Sequence, residues 1–314
     1  MSSVPKKISV VTPCFNEEGN VRALYEAVKK AFIELPEYTY EHIFIDNASS
    51  DQTVKILKEI ASEDKWVKII VNMRNFGVSR SPLYGYSQIS GDAMIALVAD
   101  LQDPPELIPA FVRKWEEGYK IVAGVKRQTE DKPIMAFTRK LYYAIVTYLS
   151  EVELIKDFNG FGLYDREVID LVLKLNDHNV YMRGAICDMG YPIARIEYDQ
   201  KARKSGKSKN NPYALYSQAI IGITSQSKLP LRLISFVGFL ASILSFLVGL
   251  VYLIYKLVFW NSFNLGIAPV VIGMFFMISF QTLCLGLIGE YIGMIHTRIN
   301  QKWLVIEKER INFD

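Results

Sequence analysis

Apolar positions along the chain change period several times, and each change marks an element. Residues 8–12 (Ile-Ser-Val-Val-Thr) form a short β-rich run that predicts a strand ended by Pro13. From Asn20 to Phe32 the apolar residues Val21, Leu24, Val28 and Phe32 recur at three- and four-residue spacings, which predicts a helix. The alternation continues with strands at 42–45, 67–71, 93–98 and 120–125. Helices are predicted between them at 52–61, 81–90 and 106–117, the last opened by Pro104-Pro105. Strands separated by helices of this length predict a mostly parallel sheet covered on both faces. Two further stretches are amphipathic. Ile134, Phe137, Leu141, Ile145 and Tyr148 share one face, and either core packing or an interface accounts for them. Asn211 and Pro212 open a second helix along which Tyr216, Ile220 and Ile223 align. Because it leads into the apolar C-terminal region, an interfacial role is expected for it.

That region changes the picture. Leu233 to Tyr255 is a run of 23 residues without a charge, and Leu257 to Gly289 is another of 33. A helix rises about 1.5 Å per residue, so roughly 20 residues cross a hydrocarbon core of about 30 Å. A buried helical pair in a soluble protein rarely runs so far without charge. Two transmembrane helices are therefore predicted near 232–256 and 266–290, with a hairpin at the polar interruption 260–264. Lys228 and Arg232 precede the first span, and Arg298, Lys302, Lys308 and Arg310 follow the second. The positive-inside rule then places both termini in the cytoplasm, and no signal peptide is expected ahead of the first strand. The predicted organisation is a cytosolic α/β domain at 1–210, a juxtamembrane amphipathic helix at 211–231, a transmembrane hairpin at 232–290 and a cytosolic tail at 291–314. The apolar residues Trp303, Leu304, Val305 and Ile306 in that tail make a homo-oligomer possible.

Composition adds little beyond this. A formal charge of +3 over 314 residues does not point to nucleic acid. Cys14, Cys187 and Cys284 have no metal-binding spacing, and no disulfide framework is expected.

Ligands of such α/β sheets bind beyond the carboxyl ends of the strands. Polar clusters fall there three times: Asn16-Glu17-Glu18, Asp46 to Asp51, and Asp100-Leu101-Gln102-Asp103. Asp100 and Gln102 are candidates for magnesium or manganese, hard ions that prefer oxygen ligands and bridge to substrate phosphates. Asp103, before two prolines, is assigned mainly to capping the helix that follows. Asp46 and Asp51 either grip a nucleotide or close an Asx turn. Residues 200–209 carry five basic side chains and no acid. Two readings stand for that loop: an electrostatic contact with anionic lipid, or a phosphate clamp using Arg203 and Lys209. It is no nucleoside-triphosphate P-loop, because Gly206-Lys207-Ser208 lacks the upstream glycine.

Several runs, in order, resemble the membrane-bound, inverting family 2 glycosyltransferases that load sugars onto polyisoprenyl phosphate. They are Val10 to Asn20 (VVTPCFNEEGN), Asp46 to Thr53 (DNASSDQT), Arg74 to Gly77 (RNFG), Ala99 to Glu106 (ADLQDPPE) and Arg203 to Lys209 (RKSGKSK). Within that dolichyl-phosphate mannose synthase-like group, the likeness is greatest to bacterial undecaprenyl-phosphate glucosyltransferases of O-antigen modification. The resemblance implies a GT-A nucleotide-sugar domain, a nucleotide-sugar donor (uridine diphosphate glucose favoured), a polyisoprenyl-phosphate acceptor and a place in the bacterial inner membrane as a multi-pass protein. It implies that Pro13, Asn16, Glu18, Asp46 and Asp51 line the nucleotide pocket, and that Asp100 and Gln102 stand at a magnesium or manganese ion. Asp157 is implied as the catalytic carboxylate near the acceptor, with Arg203, Ser208 and Lys209 at the phosphates. Two positions depart from the family pattern, which has acids where Val98 and Asn47 stand, and the segment 158–162 is a variant. The alternatives are a transferase using another nucleotide sugar, of galactose, N-acetylglucosamine or a modified sugar, and a nucleotide-binding membrane scaffold without transfer activity.

Overall fold

The computed structural model describes residues 5–127, 155–175, 177–178, 180–200, 236–240, separate positions from 243 to 258, 267–299 and 303–313. The amphipathic stretches at 134–148 and 211–223, and Arg203, Ser208 and Lys209, lie outside them. The chain forms two compact units, one of residues 1–222 with 301–314 and the other of 223–300.

The first unit alternates as the periodicity predicts. In order come β1 (Lys7–Cys14), α1 (Val21–Ile33), β2 (Thr39–Asp46), α2 (Thr53–Glu63), β3 (Val67–Asn72), α3 (Gly77–Ser87) and β4 (Ala93–Ala96). A 3-10 turn at Pro105–Leu107 opens α4 (Ile108–Glu116), followed by β5 (Ile121–Lys126). Then come β6 (Phe158–Asp165), α5 (Arg166–Lys174), α6 (Met182–Asp188) and β7 (Ile193–Tyr198). Pro13 does not end β1, which runs through it to Cys14. Pairing with β4 has already stopped at Val11, so no ladder bond from β4 is lost there.

Successive residues on the strands enter opposite cores, as a sheet buried on both faces requires. On β2, Phe44 packs with Leu24 and Leu57 of α1 and α2, whereas Ile43 and Ile45 pack on the other face with Met94 and Tyr164. The buried stripe of α1 is Val21, Leu24, Val28, Ala31 and Phe32, as its spacing predicts.

The sheet corrects the predicted topology. Its order is β7-β5-β6-β4-β1-β2-β3-β8, where β8 is Glu307–Ile311. β6 runs antiparallel between β4 and β5, and β8 runs antiparallel on the outer edge of β3. The sheet is therefore mixed, not mostly parallel. Insertion of β6 demands an unusually close approach to β5: a Cβ on Gly162 would stand 2.3 Å from the Val122 carbonyl oxygen. The glycines that permit it make the sequence look like a turn instead of a strand.

The second unit corrects the other part of the expectation. Among the described residues one helix, not two, is long and apolar enough to cross a bilayer. It is α7 (Ile267–Ile299), 33 residues, with a window at Phe276–Gly293 of mean hydropathy 1.3. The first predicted span, 232–256, falls largely outside the described residues, and the second coincides with α7. Exposed apolar side chains such as Phe276, Leu283, Leu285 and Ile292 suit an apolar surrounding.

At the amino ends of the strands a buried carboxylate is paired with two lysines. Glu41 Oε2 lies 3.1 Å from Lys7 Nζ and 2.8 Å from Lys68 Nζ. Its Oε1 accepts from Ser9 Oγ at 2.6 Å and from Ser90 N at 2.7 Å. Burial alone would raise its pKa, but the bonds from Lys68, Ser9 and Ser90 outweigh burial and hold it at about 2. A carboxyl lowered in the folded state stabilises above the ordinary range near 4.5, and that stabilisation is lost as pH falls towards 2. Glu41→Gln should cost on the order of 3 kcal/mol at pH 7, because it leaves two lysines facing a neutral amide. In urea denaturation of the detergent-solubilised chain, the gap between parent and variant should close as pH is lowered to about 2. A constant gap would refute the assignment.

Candidate functional site

The loops leaving β1 and β2 are laced together by their own polar side chains. Asn16 N donates to Ser49 Oγ at 2.8 Å, and Asn16 Oδ1 accepts from Ser50 N at 2.8 Å. Glu17 N donates to Thr53 Oγ1 at 2.8 Å, and Glu18 Oε2 accepts from Gln52 N at 2.8 Å. Asp51 accepts from Glu18 N at 3.3 Å and from Thr53 N at 3.0 Å. Asp46 is fully buried and accepts from Ser49 N at 2.9 Å and from the Ser49 hydroxyl. Burial, foremost, raises the Asp46 pKa, and it raises the nearby Cys14 thiol as well. Asn16, Ala48, Leu101 and Asp157 all adopt positive φ, between 54° and 63°. Left-handed backbone at non-glycine residues costs energy and concentrates at functional loops. Here one such residue sits beside each of four strand ends.

Beyond the ends of β1 and β4 lies a cavity of about 560 Å³. Pro13, Cys14, Phe15 and Glu17 form one wall, Asn47 and the first half of α3 another, and residues 96–100 the floor. Asn159 to Phe161 and Val180 to Arg183 complete it. Of the predicted nucleotide residues, Pro13 lines this space, while Asn16, Glu18, Asp46 and Asp51 are absent from its lining and shape the loops behind it.

Asp100 lies on the floor, 8% exposed, and accepts from Gln102 N at 3.2 Å. Val98, 41% exposed, shares the floor where the resemblance leads one to expect an acid. Asp103 is not a helix cap. One carboxylate oxygen accepts from the Tyr198 hydroxyl and the other from Asn159 Nδ2 at 2.8 Å, so it ties β6 to β7. Proline follows it twice and removes the two nearest amide donors.

Two cations complete the site. Lys126 ends β5, half-buried, and burial lowers its pKa while Asp103, Asp100 and Asp157 oppose that shift. Its backbone N–H donates to the Asp157 carbonyl at 3.1 Å, which places Asp157 at the mouth of β6. Arg183 of α6 lines the cavity and donates to the Phe158 carbonyl at 3.1 Å. Sequence reasoning missed both. The strand-end rule finds Lys126 once β5 is extended by one residue, whereas nothing around Arg183 marks it.

Among the described residues no group of three His, Cys, Asp or Glu side chains is arranged to hold a metal. The oxygens of Asp100 and Gln102 nonetheless suit magnesium or manganese, which keep few protein ligands and complete their shell with water and phosphate.

A mixed sheet with a cavity at its parallel strand ends, lined by Glu17, Asp100, Asp103 and Arg183 with Lys126 close to two of these acids, defines a class of α/β enzyme with a charged ligand site. Residues 9–172 match glycosyl transferase family 2, and the chain belongs to that family and is a glycosyltransferase. The SfII prophage-derived bactoprenol glucosyl transferase of Shigella flexneri is 33% identical over 98% of this chain and 99% of its own. A putative glycosyltransferase of Bacillus subtilis is 31% identical over 98% and 93%. Among solved structures, glucosyl-3-phosphoglycerate synthase of Mycobacterium tuberculosis, in complex with Mn2+, uridine diphosphate and phosphoglyceric acid, shares the fold. Its TM-score is 0.50 at 20% identity, over 70% of this chain and 78% of that one.

The Asp103 network predicts a measurable effect. Tyr198→Phe leaves one oxygen of a buried carboxylate unpaired, which should cost about 1–3 kcal/mol. The urea midpoint at pH 7 should fall accordingly, and an unchanged midpoint would show that the hydroxyl is dispensable.

Proposed function

We propose that this chain transfers glucose from uridine diphosphate glucose to undecaprenyl or a related polyisoprenyl phosphate, inverting the anomeric centre. The observation that carries this reading is the full-length similarity to a bactoprenol glucosyl transferase, C-terminal apolar region included. The uridine nucleotide and the divalent ion are supported by the ligands of the mycobacterial structure that shares the fold. The lipid acceptor is supported further by α7, which suits a membrane. Arg298 and Lys302, which follow the apolar window of α7 in the sequence, support a cytosolic C-terminal side in a bacterial inner membrane by the positive-inside rule.

The chemistry suits this chain. A polyisoprenyl phosphate is already an anionic oxygen nucleophile, so no strong base is needed. One phosphate oxygen forms a bond to the anomeric carbon as the bond to the diphosphate oxygen breaks, and uridine diphosphate departs with that electron pair. The protein must bring two anions together and stabilise the leaving charge. Arg183 lines the cavity and Lys126 stands close to Asp100 and Asp103 for this purpose, with Arg203, Ser208 and Lys209 assigned to the same phosphates. Asp157 at the mouth of β6 orients the acceptor or sugar. Magnesium or manganese, when bound, would be held by Asp100 and Gln102 and would screen the diphosphate charge.

Purified enzyme with radiolabelled uridine diphosphate glucose and undecaprenyl phosphate should move label into the organic phase. Label transferred only from another nucleotide sugar would overturn the choice of glucose, and none from any would overturn the acceptor. Asp100→Ala should lower turnover at least a hundredfold, about 2.7 kcal/mol of barrier, with the fold retained by circular dichroism. Undiminished turnover would remove Asp100 from the site.

Arg203 separates the two readings of the basic loop. Arg203→Lys keeps the charge and loses the planar fork, so a phosphate clamp predicts about a tenfold drop in turnover, about 1.4 kcal/mol. Lys201→Arg should cost little. Parent-like turnover of Arg203→Lys would leave the loop as an electrostatic lipid contact.

A further inference from the structure

Asn47 stands where the resemblance leads one to expect a second acid, and its surroundings explain the amide. The side chain is 7% exposed and lines the cavity. Its Nδ2 donates to Asn75 Oδ1 at 2.9 Å and to the Gly77 carbonyl at 3.2 Å. Its Oδ1 accepts from the Phe76 backbone N–H at 2.8 Å and from Asn72 Nδ2 at 3.1 Å. Two of these partners are backbone groups with a fixed sense, an N–H and a carbonyl, so the amide has only one satisfactory orientation. Asn72 Nδ2 also donates to Ser81 Oγ at 3.0 Å, which carries the network into α3. One side chain thus joins the end of β2, the end of β3, the Arg74–Gly77 turn and the start of α3.

A carboxylate cannot make this set of bonds. It would accept from Phe76 and Asn72, but its second oxygen would face Asn75 Oδ1 and the Gly77 carbonyl, both acceptors. It would also add charge one residue from buried Asp46. Gly77, at φ +91°, permits the turn that brings its carbonyl to the amide. Gly77, Val78, Ser79 and Ser81 all line the cavity, so what the amide holds is the wall itself.

We propose that Asn47 is a positioning residue for the donor: its amide fixes the α3 wall against which a nucleoside diphosphate binds, and an acid at this position is incompatible with that wall. This rests on the nucleotide reading of the cavity, so the probe is uridine diphosphate alone, with no lipid acceptor. Full-length protein in detergent, parent and Asn47→Asp, is titrated calorimetrically at pH 8 and pH 5.5, and hydrogen exchange is followed at Phe76 to Ser79. The variant should bind about tenfold more weakly at pH 8 and recover most of that loss at pH 5.5, where a protonated carboxyl can again donate. Exchange at Phe76 and Gly77 should quicken at pH 8 in the variant alone. A general loss of fold would not be reversed by acid. Equal affinity, or a loss that is the same at both pH values, overturns the proposal. If Asn47→Asp does not fold, Asn75→Ala removes one acceptor only and should weaken binding about threefold with faster exchange at Gly77, and parent-like values overturn the proposal. A parent that does not bind uridine diphosphate overturns the nucleotide reading too, which separates the two failures.

Discussion

The contact between Gly162 and the Val122 carbonyl governs how the rest of the site is assembled. Any side chain at 162 would collide with the backbone of β5, since even a Cβ would lie 2.3 Å from that oxygen. Because glycine stands there, β6 can slot antiparallel between β4 and β5. Its first residues then reach the same edge as the carboxyl ends of β1 and β4. Asp157 meets the backbone of Lys126, and Asn159 meets Asp103. Without β6 the floor carrying Asp100 would have no opposite wall.

The two ends of the sheet treat buried charge in opposite ways. At the amino ends Glu41 is surrounded by donors, and its carboxyl is held at about 2, so it is a structural ion. At the carboxyl ends burial dominates: Asp46 and Asp103 are raised and Lys126 is lowered. Groups whose charged forms are under-solvated gain most from a charged ligand, which is why such shifts gather at sites. The left-handed residues Asn16, Ala48, Leu101 and Asp157 lie at the same end. Electrostatic and conformational strain therefore share one edge of the molecule.

The sequence shows the first five strands because each is a compact apolar run separated by helical periodicity. It hides β6, whose Gly160 and Gly162 are needed for packing yet resemble turn residues. It hides β8 as well, since Glu-Lys-Glu-Arg-Ile looks like a solvated tail although charges are what an edge strand carries. At the site, the strand-end rule finds Asp100 and Glu17, and the resemblance adds Pro13. Asp103 is misassigned because its partners, Asn159 and Tyr198, are 56 and 95 residues away. Lys126 and Arg183 escape because each depends on an element whose end or existence the pattern leaves undefined.

β8 shows how far the site depends on distant chain. Ile306 O accepts from Met73 N at 2.9 Å, just past the end of β3. Arg80 of α3 donates to the carbonyls of Leu304 and Trp303, and Tyr84 of the same helix donates to Glu307 at 2.8 Å. Arg310 reaches Gln88 at 2.7 Å, and Lys58 of α2 pairs with Glu309 at 2.7 Å. Most of these pairs are exposed, and each alone contributes little. Their geometry matters more: they hold the outer side of α3, while Asn47 holds its inner side at the cavity. β3 would otherwise be an open edge, with unpaired backbone groups beside the Arg74–Gly77 turn. The segment beyond the apolar helix is thus part of the wall-bearing fold, although residues 9–172 alone carry the family match.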